Sequence, residues 1–250
     1  MSKLVEVDSL AKSFGAVRAI SDISFSVGAG EVFGLLGPNG AGKTTTLRIL
    51  ATLLRPDAGR ASVAGLDVGA EAEAVRRSIG VVNGGMGLYD RLTGREILGY
   101  FGRLYGIDRT RIDRRIAELA DVLELGEALT RQAGGFSTGM KQKIVIARAI
   151  LHDPPVVFFD EATSGLDVMA RRAVLDLVRR FASEGKAVVY STHVMSEVEE
   201  VCDRLAIVFR GELVTQDTVP GLLANTGSST LEDAFFTTVR RSGLQPEVAA

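Results

Sequence analysis

Five short stretches of this chain stay apolar on successive positions: VFGLL (32–36), IGVV (79–82), VVFF (156–159), AVVYS (187–191) and LAIVF (205–209). Each is followed by glycine, polar residues or a helical pattern. A run without alternation suits a strand covered on both faces, the usual condition of a parallel strand between helices. The N-terminal segments LVEVDSL and VRAISDISFSV alternate instead, and predict half-exposed antiparallel strands, with GAGE (28–31) as the turn into the core. From about residue 90 to 152 the strand signals vanish, and Ile112, Ile116, Leu119 and Leu123 recur at helical spacing. The pattern therefore predicts an α/β fold: a mostly parallel sheet core, an N-terminal antiparallel β subdomain, and an α-helical subdomain inserted at 90–152. Beyond FRGELV the tail loosens through PGLLANTGSS (220–229). Ser229 and Glu232 have capping-box spacing for a last helix, TLEDAFFTTVRR. The expected division is a main domain over 1–225, followed by a C-terminal helix and tail over 226–250.

With 250 residues the chain can bury a sizeable core, and 46% hydrophobic against 24% charged residues argues against disorder. The net charge of −2 gives no electrostatic footprint for nucleic acid, so no nucleic-acid partner is expected. Cys202 is the only cysteine, which rules out an internal disulfide and fits a reducing compartment. The start lacks the unbroken apolar stretch of a secretory signal, and the apolar runs are too short to span a bilayer. A membrane role would have to come through a partner.

The segment GPNGAGKTT (Gly37, Pro38, Asn39, Gly40, Ala41, Gly42, Lys43, Thr44, Thr45) lies between the strand VFGLL and the helical TTTLRILATLL. Its glycines allow successive backbone N–H groups to curl around phosphate oxygens, and the following helix N-terminus adds partial positive charge. In such a loop Lys43 reaches the β- and γ-phosphates and the Thr44 hydroxyl ligates Mg²⁺. This is a phosphate-loop NTPase core, and the loop alone leaves kinases, GTPases, helicases and transport ATPases open. The run VVFFDEA narrows the choice. A buried strand there delivers Asp160 to its carboxyl end, where it can hold Mg²⁺, and Glu161 follows as a candidate base for water. His193, in STHVMS, follows another core strand on the same sheet edge. His152, in LHDPP, reads as a solvated loop residue.

The order of these motifs resembles the ATP-binding subunit of ABC transporters over residues 3–215. The resemblance rests on the phosphate loop, a serine-glycine signature in FSTGMKQ, the strand ending in Asp160 and Glu161, SGLD (164–167), and His193. It implies a RecA-like sheet, ATP and Mg²⁺ as ligands, His193 as a γ-phosphate contact, and Phe14 as an aromatic stacked on adenine. On its own pattern Phe14 reads equally well as a core residue of the first sheet. The resemblance also implies that two subunits pack head to tail, the second being another copy or a homologous subunit. Ser137 and Gly139 of one would meet the ATP held by the other, and Asp167 would help join them. A separate membrane permease would then hold the chain at the cytoplasmic face of the cell membrane.

Three positions depart from the family pattern. The signature reads Phe136, Ser137, Thr138, Gly139, Met140 where L-S-G-G-Q is common. Asn83, Gly84 and Gly85 stand where the family places a glutamine, so either Asn83 substitutes or a water fills the gap. Ala162 replaces a common proline. Within the family, the motifs are most similar to bacterial sodium-extrusion and drug-export subunits. Two other functions are weighed against transport. A soluble ATPase of this type acting on ribosomes or DNA would commonly carry paired cassettes or long coiled coils, which this sequence lacks. A regulatory module that barely hydrolyses ATP fits the missing glutamine but not the presence of both Glu161 and His193.

Overall fold

The computed structural model describes residues 2–83 and 87–244. Gly84 and Gly85, part of the glutamine-loop reading, lie outside the described residues, as does the tail from 245 onward. In chain order the elements are β1 (Lys3–Phe14), β2 (Val17–Gly28), β3 (Val32–Leu36), α1 (Lys43–Leu50), β4 (Ala58–Val63), β5 (Leu66–Asp67), α2 (Ala72–Ser78) and β6 (Ile79–Asn83). There follow α3 (Gly94–Leu104), α4 (Arg109–Leu123), α5 (Thr138–Ile150), β7 (Val156–Asp160), α6 (Val168–Ser183) and β8 (Ala187–Thr192). The chain then forms α7 (Met195–Val201), β9 (Arg204–Phe209), β10 (Glu212–Asp217), α8 (Val219–Thr226) and α9 (Leu231–Arg241).

The ten strands follow the order β5-β4-β1-β2-β10-β9-β3-β8-β7-β6. The five unbroken apolar runs become β3, β6, β7, β8 and β9, all paired in parallel. β3, β7 and β8 are buried at every position, as strands covered on both faces must be. The alternating N-terminal runs become β1 and β2, paired antiparallel, with β4 on the other side of β1. Phe25 stacks on Phe33 at 4.9 Å between ring centroids, joining the antiparallel arm to the parallel core.

Residues 90–152 carry helices, and the predicted stripe Ile112, Ile116, Leu119 and Leu123 is buried on α4. Two local devices start these helices. Thr93 and Glu96 close a capping box on α3, and Asp108 accepts the Arg111 N–H at the start of α4. The tail is more ordered than its composition suggests, since PGLLANT lies within helix α8. The last helix is capped one residue later than predicted. Thr230, rather than Ser229, accepts the Asp233 N–H at 3.1 Å, because only Thr230 directly precedes the first helical residue. Leu231, Ala234, Phe235 and Val239 of α9 join the same buried cluster as β7 and β8.

His152 is not the solvated loop residue that its sequence context suggests. Its ring stacks on Tyr105 at 3.8 Å and 9° interplanar, and Nε2 lies 3.0 Å from the Ile79 carbonyl. Nδ1 is buried without a hydrogen-bond partner. With its proton on Nε2 the ring donates to the Ile79 carbonyl, and a second proton on Nδ1 would find no acceptor, so the neutral tautomer fits this site. Burial depresses its pKa from 6.5 to about 4, against a smaller opposing pull from that carbonyl.

Candidate functional site

The register of the parallel strands brings the predicted residues to one edge. Leu36 pairs with Thr192, Asp160 with Ser191, and Asn83 with Asp160. The carboxyl ends of β3, β6, β7 and β8 are therefore level, and the loops leaving them share one crevice, where ligands of open α/β sheets bind.

The loop after β3 turns tightly. A Cβ at Gly37 would collide with the Val208 carbonyl, and Gly42 has φ 108° with the Ala19 carbonyl 2.7 Å from where its Cβ would lie. Both positions need glycine for steric reasons. No side chain caps α1, so its first N–H groups are left for a ligand. Lys43 is 3% exposed and donates to the Gly37 and Pro38 carbonyls at 2.7 and 3.0 Å, with Glu161 Oε1 at 3.5 Å. Burial lowers its pKa, opposed by the Glu161 carboxylate.

Asp160, at the end of β7, accepts from Thr44 Oγ1 at 3.0 Å and from Ser191 Oγ at 3.1 Å. Burial raises its pKa, and the two hydroxyls oppose the shift. Thr44 and Asp160 together form a pair of hard oxygen donors of the kind Mg²⁺ accepts beside phosphates and water. No group of three or more His, Cys, Asp or Glu side chains that could hold a metal occurs among the described residues, so this pair does not form an all-protein cage. Glu161 has φ 48°, a strained backbone for a non-glycine residue. Hydrogen bonds from Glu161 N to Ser191 O and from Ser164 N to Glu161 O, at 3.0 and 3.1 Å, hold it there. Its Oε1 lies 3.5 Å from His193 Nδ1, and the His193 side chain is 46% exposed.

An open depression of about 410 Å³ is lined by Phe14, Ala19, the loop from Asn39 to Thr45, and Glu161. Phe14 is 48% exposed at the end of β1, which removes the core alternative for this residue. Ser137 and Gly139 are absent from this lining. Ser137 instead caps α5 by accepting the Met140 N–H at 3.2 Å. Asp167 caps α6, accepting the Ala170 N–H at 2.9 Å.

The residue missed from the sequence is Glu197, whose carboxylate is 1% exposed and bonded to three hydroxyls. A signal was available. On α7, Glu197 falls at helical spacing with Val194, Val198 and Val201, on the stripe that faces inward.

Residues 20–164 match the ABC transporter family. The chain is 41% identical to the ABC transporter ATP-binding protein NatA of Bacillus subtilis (strain 168), covering 90% of this chain and 92% of that protein. It is 40% identical to the daunorubicin/doxorubicin resistance ATP-binding protein DrrA of Streptomyces peucetius, covering 92% of this chain and 70% of the relative. A solved ATP-binding subunit of an ABC transporter superposes with a TM-score of 0.86 at 30% identity, covering 94% of this chain and 99% of that one. A phosphate loop, a strand-end aspartate and glutamate, and a histidine on one sheet edge thus occur in a chain whose sequence and fold both match the same group: this protein belongs to the ABC transporter family, as one of its ATP-binding subunits.

Proposed function

We propose that the chain hydrolyses ATP to ADP and phosphate in a site completed by a second copy of itself or a homologous subunit. The cycle drives a separate integral membrane permease that exports ions, drugs or other small molecules. The observation that carries this reading is the convergence of Lys43, Thr44, Asp160, Glu161 and His193 on one sheet edge. The triphosphate lies along the loop from Gly37 to Thr45, and Phe14 stacks on adenine. Lys43 exchanges its carbonyl partners for β- and γ-phosphate oxygens. Thr44 and Asp160 would hold Mg²⁺, which supplies charge neutralisation on the phosphates. Glu161 takes a proton from the attacking water as the bond between the β-bridging oxygen and γ-phosphorus breaks. His193 contacts the γ-phosphate.

Gly139 supports the shared site. It has no left-handed φ, and the nearest atom to an added Cβ would be Ala170 Cβ at an ordinary 3.7 Å. The chain's own fold does not demand glycine there, whereas close approach of a partner's nucleotide would. Ser137 and the N-terminus of α5 would then meet the γ-phosphate held by the partner, with Asp167 at the junction. Loss of that phosphate removes the contact and opens the pair. The permease would hold the subunit at the inner face of the cell membrane, since no helix among the described residues is long and apolar enough to cross one. The resistance function of DrrA supports an outward direction. Next to β6, a groove lined in part by Leu53, Phe101 and Tyr105 offers the permease an apolar seat, and Leu53 is 67% exposed.

Steady-state phosphate release from the purified chain tests this reading. The wild type should turn over. Lys43→Ala should lose ATP affinity, and Glu161→Gln should slow turnover on the order of 10²–10⁴-fold while still binding ATP. Undiminished turnover in Glu161→Gln would remove Glu161 as the base.

A further inference from the structure

Glu197 is a buried acid with no ion-pair partner among the described residues. The partners of its carboxylate among the described residues are three hydroxyls: Thr163 Oγ1 donates to Oε1 at 2.8 Å, and Tyr190 OH and Thr192 Oγ1 donate to Oε2 at 3.0 and 2.7 Å. All three donors are themselves buried. Burying an unpaired carboxylate costs more than filling the same space with an apolar side chain, so stability alone does not account for an acid at this position.

The origin of the hydroxyls gives the reason. Thr163 lies two residues after Glu161, in the turn closed by Ser164 N donating to Glu161 O and Leu166 N donating to Thr163 O. Tyr190 and Thr192 are on β8, which ends immediately before His193. Thr192 Oγ1 also accepts the Val194 N–H at 3.0 Å, so a small ring of bonds closes around His193. From the other side, Gln142 of α5 donates to the Ala162 carbonyl at 2.9 Å. The turn bearing Glu161 is thus held between the signature helix and Glu197. Besides the backbone bond from Glu161 N to Ser191 O and the 3.5 Å contact of Thr163 Oγ1 with Tyr190 OH, the Glu197 carboxylate bridges that turn to Thr192, next to His193.

We propose that Glu197 is a positioning residue that keeps Glu161 and His193 in mutual register, through Thr163 on one side and Thr192 on the other. At 1% exposure it acts through these hydroxyls rather than on the reacting atoms. The role rests on the hydrolytic reading above, in which the 3.5 Å separation of His193 Nδ1 and Glu161 Oε1 must be preserved between a base and a phosphate contact.

The test uses the full chain, with steady-state ATPase assays and NMR of the imidazole groups. The chain has two histidines, so His193 is read against His152 as an internal control. Glu197→Gln retains an oxygen for Tyr190 and Thr192 and an N–H for Thr163, and its kcat should stay near wild type. Glu197→Ala should lower kcat on the order of 10–100-fold with KM for MgATP unchanged, as expected when reacting groups are misplaced. In that variant the His193 resonance should move and the His152 resonance should not. Thr163→Val cuts the Glu161 side; it should lower kcat with KM for MgATP in place, and carry the kinetic test if Glu197→Ala does not fold. Wild-type kcat in both Glu197→Ala and Thr163→Val would overturn the proposal, and so would a Glu197→Gln protein as slow as Glu197→Ala. If the wild type itself does not hydrolyse ATP, the hydrolytic reading falls separately. The His193 resonance then decides, and one that stays put in Glu197→Ala overturns the register.

Discussion

His152 offers a sharp test of the packing between the sheet core and the inserted helices. Its ring is pressed against Tyr105, its Nε2–H donates to the Ile79 carbonyl, and a proton on Nδ1 would find no acceptor. Folding depresses the pKa from 6.5 to about 4, so the unfolded chain takes up the proton first as pH falls. The associated stability is intact above pH 6.5 and is lost progressively between there and pH 4. At pH 5 the unfolded histidine is almost fully protonated and the folded one almost fully neutral, so the loss from pH 7 to pH 5 is about 2 kcal/mol. Urea unfolding of the wild type and of His152→Phe at both pH values isolates this contribution, since phenylalanine keeps the stack and the other titrating groups cancel in the difference. The stability gap should shift by about 2 kcal/mol in favour of His152→Phe at pH 5. A gap that is the same at pH 7 and pH 5 would mean that His152 titrates as a solvated ring, and the packing argument would be wrong.

Phe14→Ala should weaken ATP binding by about 1–3 kcal/mol without lowering thermal stability, measured by calorimetric titration and melting. Equal affinity would leave adenine without its proposed stacking partner. Chelation of divalent cations, or Thr44→Val, should abolish phosphate release, because Thr44 and Asp160 lose their role together; turnover that persists with chelator would argue against Mg²⁺ at this pair. Chains carrying Ser137→Arg and chains carrying Lys43→Ala should each be inactive alone and recover activity when mixed, since one composite site then keeps both halves. Mixtures as inactive as the parents would contradict a signature that serves the other subunit.

Burial on both faces made the parallel core legible, because β3, β6, β7, β8 and β9 each write it as an unbroken apolar run. β4 was not, since AGRASV has exposed positions and little apolar character, and β5 has two residues. Helix α8 was hidden by Pro220 and Gly221, although Thr218, accepting the Gly221 N–H at 3.0 Å with proline in the first turn, is a start signal. The phosphate loop, Asp160, Glu161 and His193 were legible because the strand before each is. The inward stripe of α7 signals the burial of Glu197 but not its partners, and nothing local signals the burial of His152, because the contacts with Thr163, Tyr190 and Tyr105 come from distant segments.

The central claim is that ATP joins two of these subunits, each completing the site of the other. Sedimentation of Glu161→Gln over a range of concentrations, with and without MgATP, tests it most directly. The account predicts monomers without nucleotide and dimers with it, and dimers that are lost again when Ser137→Arg is added to the same chain. Monomers at every concentration, with nucleotide demonstrably bound, would contradict it.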